Sequence, residues 1–122
     1  MYKRQGTTYS RYVEWNATSG PGYPHSVQLS NNTTLNYPNG STAAQSLSGS
    51  LTIDAGSALY MDYGSPGLNN PLTVAGDVTL AGALSLGDAV GGDLNLGGNW
   101  INNGGTFITN SRAATFLSLI HI

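Results

Sequence analysis

Cysteine is absent from the sequence, and charge is scarce. With no Cys among 122 residues, disulfide bonds, thiolate metal sites and thiol nucleophiles are all excluded. Only 8% of residues are charged, 4 basic and 6 acidic, which excludes a basic nucleic-acid-binding surface. No apolar run approaches the length of about 20 residues that a membrane-spanning helix needs. The sequence also lacks the lysine of a phosphate-binding P-loop and a Gly-x-Ser-x-Gly nucleophile elbow.

Small and polar residues dominate what is present. The chain has 17 Gly and many Asn, Ser and Thr, yet 39% of its residues are hydrophobic. That apolar fraction is too high for a disordered linker. Gly or Pro interrupts nearly every stretch long enough for a helix, and no segment keeps helical periodicity. We therefore expect one small folded domain built from strands and turns.

Both ends of the chain match translated adapter DNA. Leu117–Ile122 can be encoded by CTG TCT CTT ATA CAC ATC, which resembles the transposon end attached when sequencing libraries are prepared. The reverse complement contains GTG TAT AAG AGA CAG, which gives Met1–Gln5 when GTG is the start codon. We expect residues 1–5 and 117–122 to be adapter artefacts of a reading frame truncated in metagenomic shotgun DNA, so we exclude them from the interpretation.

The remaining sequence is repetitive. Four segments align without gaps, with starts 24, 21 and 22 residues apart: Val27–Asn32, Leu51–Gly56, Leu72–Asp77 and Leu94–Asn99. Each opens with an apolar, polar, apolar triplet, the pattern of a strand with one buried face. Each closes with Asn, Gly or Asp, residue types that turn the chain at low energetic cost.

A repeat of this length predicts an all-β fold, a single-stranded parallel β-helix (solenoid) with a period of about 22 residues. Stacked coils would place Leu29, Ile53, Val74 and Leu96 in one internal ladder, while Leu35, Leu59 and Leu80 would mark a second position. Further strands are expected at 78–80, 83–86 and 106–108. An antiparallel β-sandwich is the alternative. The coils span residues 27–116, after an irregular first coil or cap at 6–26.

A resemblance to a known class of proteins adds to this interpretation. Gly97–Asn110, which reads Gly-Gly-Asn-Trp-Ile-Asn-Asn-Gly-Gly-Thr-Phe-Ile-Thr-Asn, and then Ala114-Thr115-Phe116 resemble the repeats of large secreted bacterial surface proteins of the sorting-domain or autotransporter-passenger type. The resemblance implies an extracellular or outer-surface location and a stalk or adhesive region. The resemblance assigns no catalytic residue to this chain. The remainder of the parent chain is the expected partner, with surface glycans or other extracellular polymers as further candidates.

The acidic residues are expected to form turns. Asp54 and Asp77 fall near equivalent turns of the repeat but at adjacent positions, and Gly91–Leu96 lacks the third Gly of a calcium-binding nonapeptide. His25 is the only His outside the adapter segments and is expected in a solvated loop. We therefore assign no catalytic residue, no metal and no cofactor.

Aromatic residues are the candidate ligand-binding groups. Tyr37, Tyr60, Tyr63 and Trp100 could form a strip that stacks on sugar rings, since each combines an apolar body with a polar tip. The sequence thus predicts a structural or adhesive segment of a secreted protein without catalysis of its own. The alternative is part of a carbohydrate-binding or carbohydrate-processing β-helix, which would gather carboxylates in a groove.

Overall fold

A computed structural model of the chain describes residues 2–5, 8–10, 25–36, 45–62 and 69–116. These residues contain fourteen short strands and no helix. The strands are β1 Tyr2–Gln5, β2 Thr8–Ser10, β3 Val27–Ser30, β4 Thr34–Asn36, β5 Gln45–Leu47, β6 Leu51–Ile53, β7 Ala58–Tyr60, β8 Leu72–Val74, β9 Val78–Leu80, β10 Ala83–Ser85, β11 Leu94–Leu96, β12 Trp100–Asn102, β13 Thr106–Ile108 and β14 Ala114–Phe116.

The strands form three parallel sheets that the chain visits in turn. Sheet A has the order β1-β3-β6-β9-β12, sheet B the order β2-β4-β7-β10-β13, and sheet C the order β5-β8-β11-β14. Each passage through sheets A, B and C makes one coil: coil 1 is β3–β5, coil 2 β6–β8, coil 3 β9–β11 and coil 4 β12–β14. The predicted β-solenoid is confirmed. The antiparallel sandwich is wrong, because every pairing between these strands is parallel.

The coils differ in length. Stacked residues lie 27 positions apart at Leu51 and Val78 but only 20 apart at Leu94 and Ala114. The period is roughly 24 residues, slightly longer than the 22 expected. Most of the variation lies in the corner between sheets B and C, since the other two corners contain only two to four residues. Loops at that corner can vary because they run over the surface.

The predicted internal ladder is in fact two ladders. Leu29 stacks on Ile53, and Ile53 stacks on Leu80, in sheet A. Val74 and Leu96, which the alignment of triplets placed in the same ladder, stack on each other in sheet C. Strands of both sheets bury their first and third residues, so the same apolar, polar, apolar triplet serves both faces. The triplet therefore predicts a strand but does not identify its sheet.

Sheet B contributes a third ladder. Its strands bury the middle residue, and Leu35, Leu59 and Leu84 stack in register. The expected grouping of Leu80 with Leu35 and Leu59 is wrong, because Leu80 belongs to sheet A. Strands at 78–80 and 106–108 are present as predicted, and the strand predicted at 83–86 spans 83–85; each lies on a face other than that of the preceding triplet.

The three ladders converge on an apolar core between the sheets. It contains sixteen buried apolar side chains from Val27 to Leu96, and fully burying a side chain of this kind contributes about 1.5–3 kcal/mol. Coil 4 is different. Phe116 continues the column of Leu96, yet Phe116 is 47% exposed whereas Leu96 is fully buried. The apolar core is therefore open at coil 4.

Glycine allows close approach of coils at the corner between sheets C and A. The N–H of Gly76 donates to the carbonyl oxygen of Gly49 (2.8 Å), and the N–H of Gly98 donates to that of Gly76 (2.9 Å). A Cβ atom on Gly76 would lie 2.7 Å from the Gly49 carbonyl oxygen and 2.6 Å from the Ser50 Oγ. A side chain at this position would push two coils apart.

Gly76→Ala is therefore expected to destabilise the fold by about 3 kcal/mol, because the clash is with backbone that cannot rotate away. Gly104→Ala is the matched control: Gly104 has φ +87° and nothing within 4 Å of the added Cβ, so only backbone strain of about 1 kcal/mol arises. Urea unfolding followed by circular dichroism measures both. Equal losses of stability in the two variants would contradict the close packing at this corner.

Candidate functional site

Charge is confined to the corners of the coils. Strands β3 to β14 contain no charged residue. The charged side chains described between residues 25 and 116 all lie between strands: Asp54, Asp62, Asp77, Asp88, Asp93 and Arg112. The outer faces of the three sheets in these coils are consequently uncharged.

Four of these carboxylates accept hydrogen bonds from other coils. The Asp77 Oδ1 accepts from the Asn99 N–H (2.8 Å) and the Asp93 Oδ1 from the Ala113 N–H (3.0 Å). Asp54 and Asp62 each accept from a side-chain amide of another coil, at 3.0 and 3.1 Å. These bonds stabilise turns and stacking. Within the described ranges, no group of three His, Asp or Glu residues could hold a metal ion.

Asp77 belongs to a polar column at the corner between sheets C and A, which we call the corner ladder. It comprises Ser26, Ser50, Asp77 and Asn99, one residue before each strand of sheet A from β3 to β12. The Ser26 Oγ accepts from the Ser50 N–H and the Ser50 Oγ from the Asp77 N–H, both at 3.0 Å. The side chains of Ser26, Ser50 and Asp77 thus each bind the backbone of the next coil. Sequence alignment found the turn-forming residue types but not this relay of hydrogen bonds.

A Ser–His contact lies at the start of this corner. The His25 Nδ1 is 2.8 Å from the Ser48 Oγ, and both residues are exposed. A nucleophilic serine needs an oriented base and oxyanion donors in a site that excludes water. An exposed corner does not exclude water. His25 lies in a solvated position, as the sequence predicted. Ser48 was not identified from the sequence, because its pairing with His25 spans a full coil.

The candidate aromatic residues lie on different parts of the solenoid. Tyr60 is half-buried in β7 of sheet B. Trp100 occupies a core-facing register position in sheet A, opposite Val78, and its ring centroid is 4.7 Å from that of Phe107 with an interplanar angle of 51°. Tyr37 and Tyr63 lie outside the described residues. A sugar-binding role for these four residues stays a prediction, and the two described rings are not on one face.

An open groove of about 330 Å³ lies on the outer face of sheet B and on the corner between sheets A and B. It crosses all four coils, from Thr34 in β4 to Thr106 in β13. None of the residues that line it is charged. They are Thr34, Gly56, Ser57, Ala58, Tyr60, Ala81, Gly82, Ala83, Gly104 and Thr106.

The groove follows from the order of side chains in one column of sheet B. Thr34, Ala58, Ala83 and Thr106 stack in register, so two small residues lie between two larger ones. Because the alanine side chains are smaller than the threonine side chains of the same column, a trough lies over the two alanines. Tyr60 of the neighbouring column and the small residues of the corner complete its sides. Tyr60 was predicted from its residue type, but the trough was not, because its column of residues depends on the register of sheet B.

Comparison of the chain with protein-family models, with curated proteins and with solved structures finds no match. In the described part of the chain, no helix has the length and apolar character needed to span a membrane.

The corner ladder gives a direct test of the role of the acidic residues. Asp77→Ala is expected to destabilise the fold by about 1–2 kcal/mol, because the Asn99 N–H loses its charge-assisted acceptor. Asp77→Asn is the matched control and is expected to stay within about 0.5 kcal/mol of the original protein, since its amide oxygen can accept the same bond. Urea unfolding checks both variants. A loss in the asparagine variant as large as in the alanine variant would show that the bond to Asn99 is not what stabilises the corner.

Proposed function

We propose that the chain is a structural and adhesive β-solenoid segment of a larger bacterial protein that is secreted or displayed on the cell surface. The observation that carries this proposal is the distribution of charge and hydrogen bonds in the coils. Charged side chains stabilise corners, whereas the outer sheet faces from β3 to β14 are uncharged. Flat faces without charge suit contact with neutral extracellular polymers, and the stacked coils supply a spacer.

The stacking supports the role of a spacer. Each coil is paired with its neighbours in all three sheets, so further coils can stack on the same core. At about 4.8 Å for each strand spacing, a spacer lengthens in small, regular steps. Cross-coil bonds at the corners, such as that from the Asn110 side chain to the Leu86 carbonyl oxygen (2.7 Å), add to the stiffness of the stack.

The open core at coil 4 supports a parent chain as the main partner. Phe116 is 47% exposed, and Trp100, Phe107 and Ala114 are only partly buried against the core. A further coil of the same kind would cover these side chains and pair with β12, β13 and β14. In that arrangement the Asn99 side chain extends the corner ladder by accepting a backbone N–H from the added coil.

Carbohydrate binding is the second candidate function, and the groove on sheet B favours it over carbohydrate processing. Hydrolysis of a glycosidic bond uses a pair of carboxyl groups on either side of the bond. None of the residues that line the groove is Asp or Glu. Four of the five Asp side chains of the described coils are instead held in corners by hydrogen bonds to other coils.

Sequencing outward from the gene tests the proposal. Primers within the codons for residues 27–96, used on the source DNA, should extend the reading frame past both ends. We expect further units of roughly 24 residues, an export signal, and a sorting domain or membrane anchor. At both ends, the genomic codons read in this way should differ from those for Met1–Gln5 and Leu117–Ile122.

Two results of this experiment would contradict the proposal. One is a parent reading frame that continues in both directions without repeats or an export signal. The other is a genomic origin of the codons at both ends, with stop codons that define a small complete protein. Either result removes the surface-displayed parent, and the solenoid would then have to function alone.

A further inference from the structure

We propose that the groove on sheet B binds a short, neutral oligosaccharide that lies along the solenoid axis. This inference rests on the proposed adhesive function and names the ligand class and the site for it. The groove is defined by the column Thr34, Ala58, Ala83 and Thr106 together with Tyr60 and the adjoining corner.

The dimensions of the groove fit a short chain of sugar rings. Thr34 and Thr106 are separated by three strand steps, or about 14 Å at 4.8 Å a step. Between them the two alanines leave a trough of about 330 Å³, which is within the range of small-ligand sites. Thr34 and Thr106 bound the stretch lined by the two alanines, and beyond Thr34 the column continues with Thr8 of β2. A short stretch of sugar rings therefore fits between the two threonines.

The chemistry of the lining fits a sugar. Sugar rings present C–H groups on their faces and hydroxyl groups around their edges. The methyl group of Ala83 and the ring of Tyr60 offer apolar surface to a ring face above the buried Ala58, while Tyr60 also has a hydroxyl group. Thr34 and Thr106 add hydroxyl groups that both donate and accept hydrogen bonds. This alternation of apolar floor and hydroxyl-bearing edges matches the two surfaces of a pyranose.

The charges around the groove select against acidic ligands. No lining residue is charged. Between β3 and β14 the described residues carry five Asp side chains and Arg112, while Lys3 and Arg4 lie in β1 of sheet A and do not line the groove. Asp54 lies in the corner beside the groove, two residues before Gly56. A uronate or a sulfated sugar would meet this negative charge and find no cation among the lining residues to pair with. The ligand is accordingly a neutral sugar.

A glycan array followed by titration tests the site. The full chain is first applied to immobilised neutral, uronate-containing and sulfated oligosaccharides, and the best neutral trisaccharide is then titrated into ¹⁵N-labelled protein. We expect binding to neutral glycans with a Kd of about 1 mM, because an open groove buries little of the ligand. The amide signals that shift should be those of residues 56–60, 81–83 and 104–106.

Two variants and one control make the site falsifiable. Tyr60→Ala removes the ring, and Ala83→Leu fills the trough; each should weaken binding about fivefold or more. Thr79→Leu adds an apolar side chain to the same coil on the outer face of sheet A, opposite Thr52, and should leave binding unchanged. Circular dichroism of each variant checks that the solenoid is retained, and the signal shifts in the original chain locate the site independently of any variant.

Each outcome decides the inference. Binding of neutral glycans that is weakened in both groove variants supports the inference. Three results overturn it. These are no binding to any neutral glycan, a preference for acidic glycans, or binding of neutral glycans that shifts amide signals outside the groove and is unchanged in both groove variants. None of the three removes the adhesive parent protein, which depends on the outward sequence. Conversely, groove binding would stand even if that sequence showed no export signal.

Discussion

Parallel stacking of one coil on the next is the interaction on which the rest of this structure depends. A single coil has too few residues to enclose a core, so its apolar side chains are buried only by the coils on either side. Complete burial of Leu29, Ile53 and Leu80 in sheet A requires those residues to be in register. A slip of one residue would turn each of them to the outer face. The register therefore fixes the core, the corners and the outer columns together.

The corners show how this constraint acts on the sequence. At the corner between sheets C and A, glycines let backbones approach, and Ser50 and Asp77 bind the N–H of the following coil. The low charge of the chain also follows from the stacking of coils in register. Four of the five described Asp residues lie where another coil offers a hydrogen-bond donor, whereas strand positions face either the core or the outer surface of a sheet. The outer faces from β3 to β14 carry no charge, and the groove arises at the column of sheet B where two alanines stack between threonines.

Much of the fold could be predicted from the sequence, because alternation and turn residues are local signals. The triplets at Leu51 and Leu72 and the strands at 78–80 and 106–108 were all identified correctly. The assignment of triplets to sheets was wrong, since Leu51–Ile53 and Leu72–Val74 have the same burial pattern on different faces. Their order around the coil depends on corner lengths, which vary. The groove and the Ser48–His25 contact could not be predicted because both need the cross-coil register, whereas Tyr60 was found from its residue type alone.

The register of sheet A can be measured directly by cross-linking, since the chain has no native Cys. Thr52 and Thr79 are direct neighbours on the outer face of sheet A, at a Cα separation of about 4.8 Å that a disulfide can span. The doubly substituted Thr52→Cys/Thr79→Cys chain should therefore form an intramolecular disulfide under mild oxidation, detected by thiol titration and peptide mass spectrometry. The Thr52→Cys/Thr73→Cys chain, which joins the positions aligned by triplet spacing, should keep both thiols free. Efficient cross-linking of Cys at 52 to Cys at 73, with none between 52 and 79, would contradict the stacking of β6 on β9 and the solenoid described above.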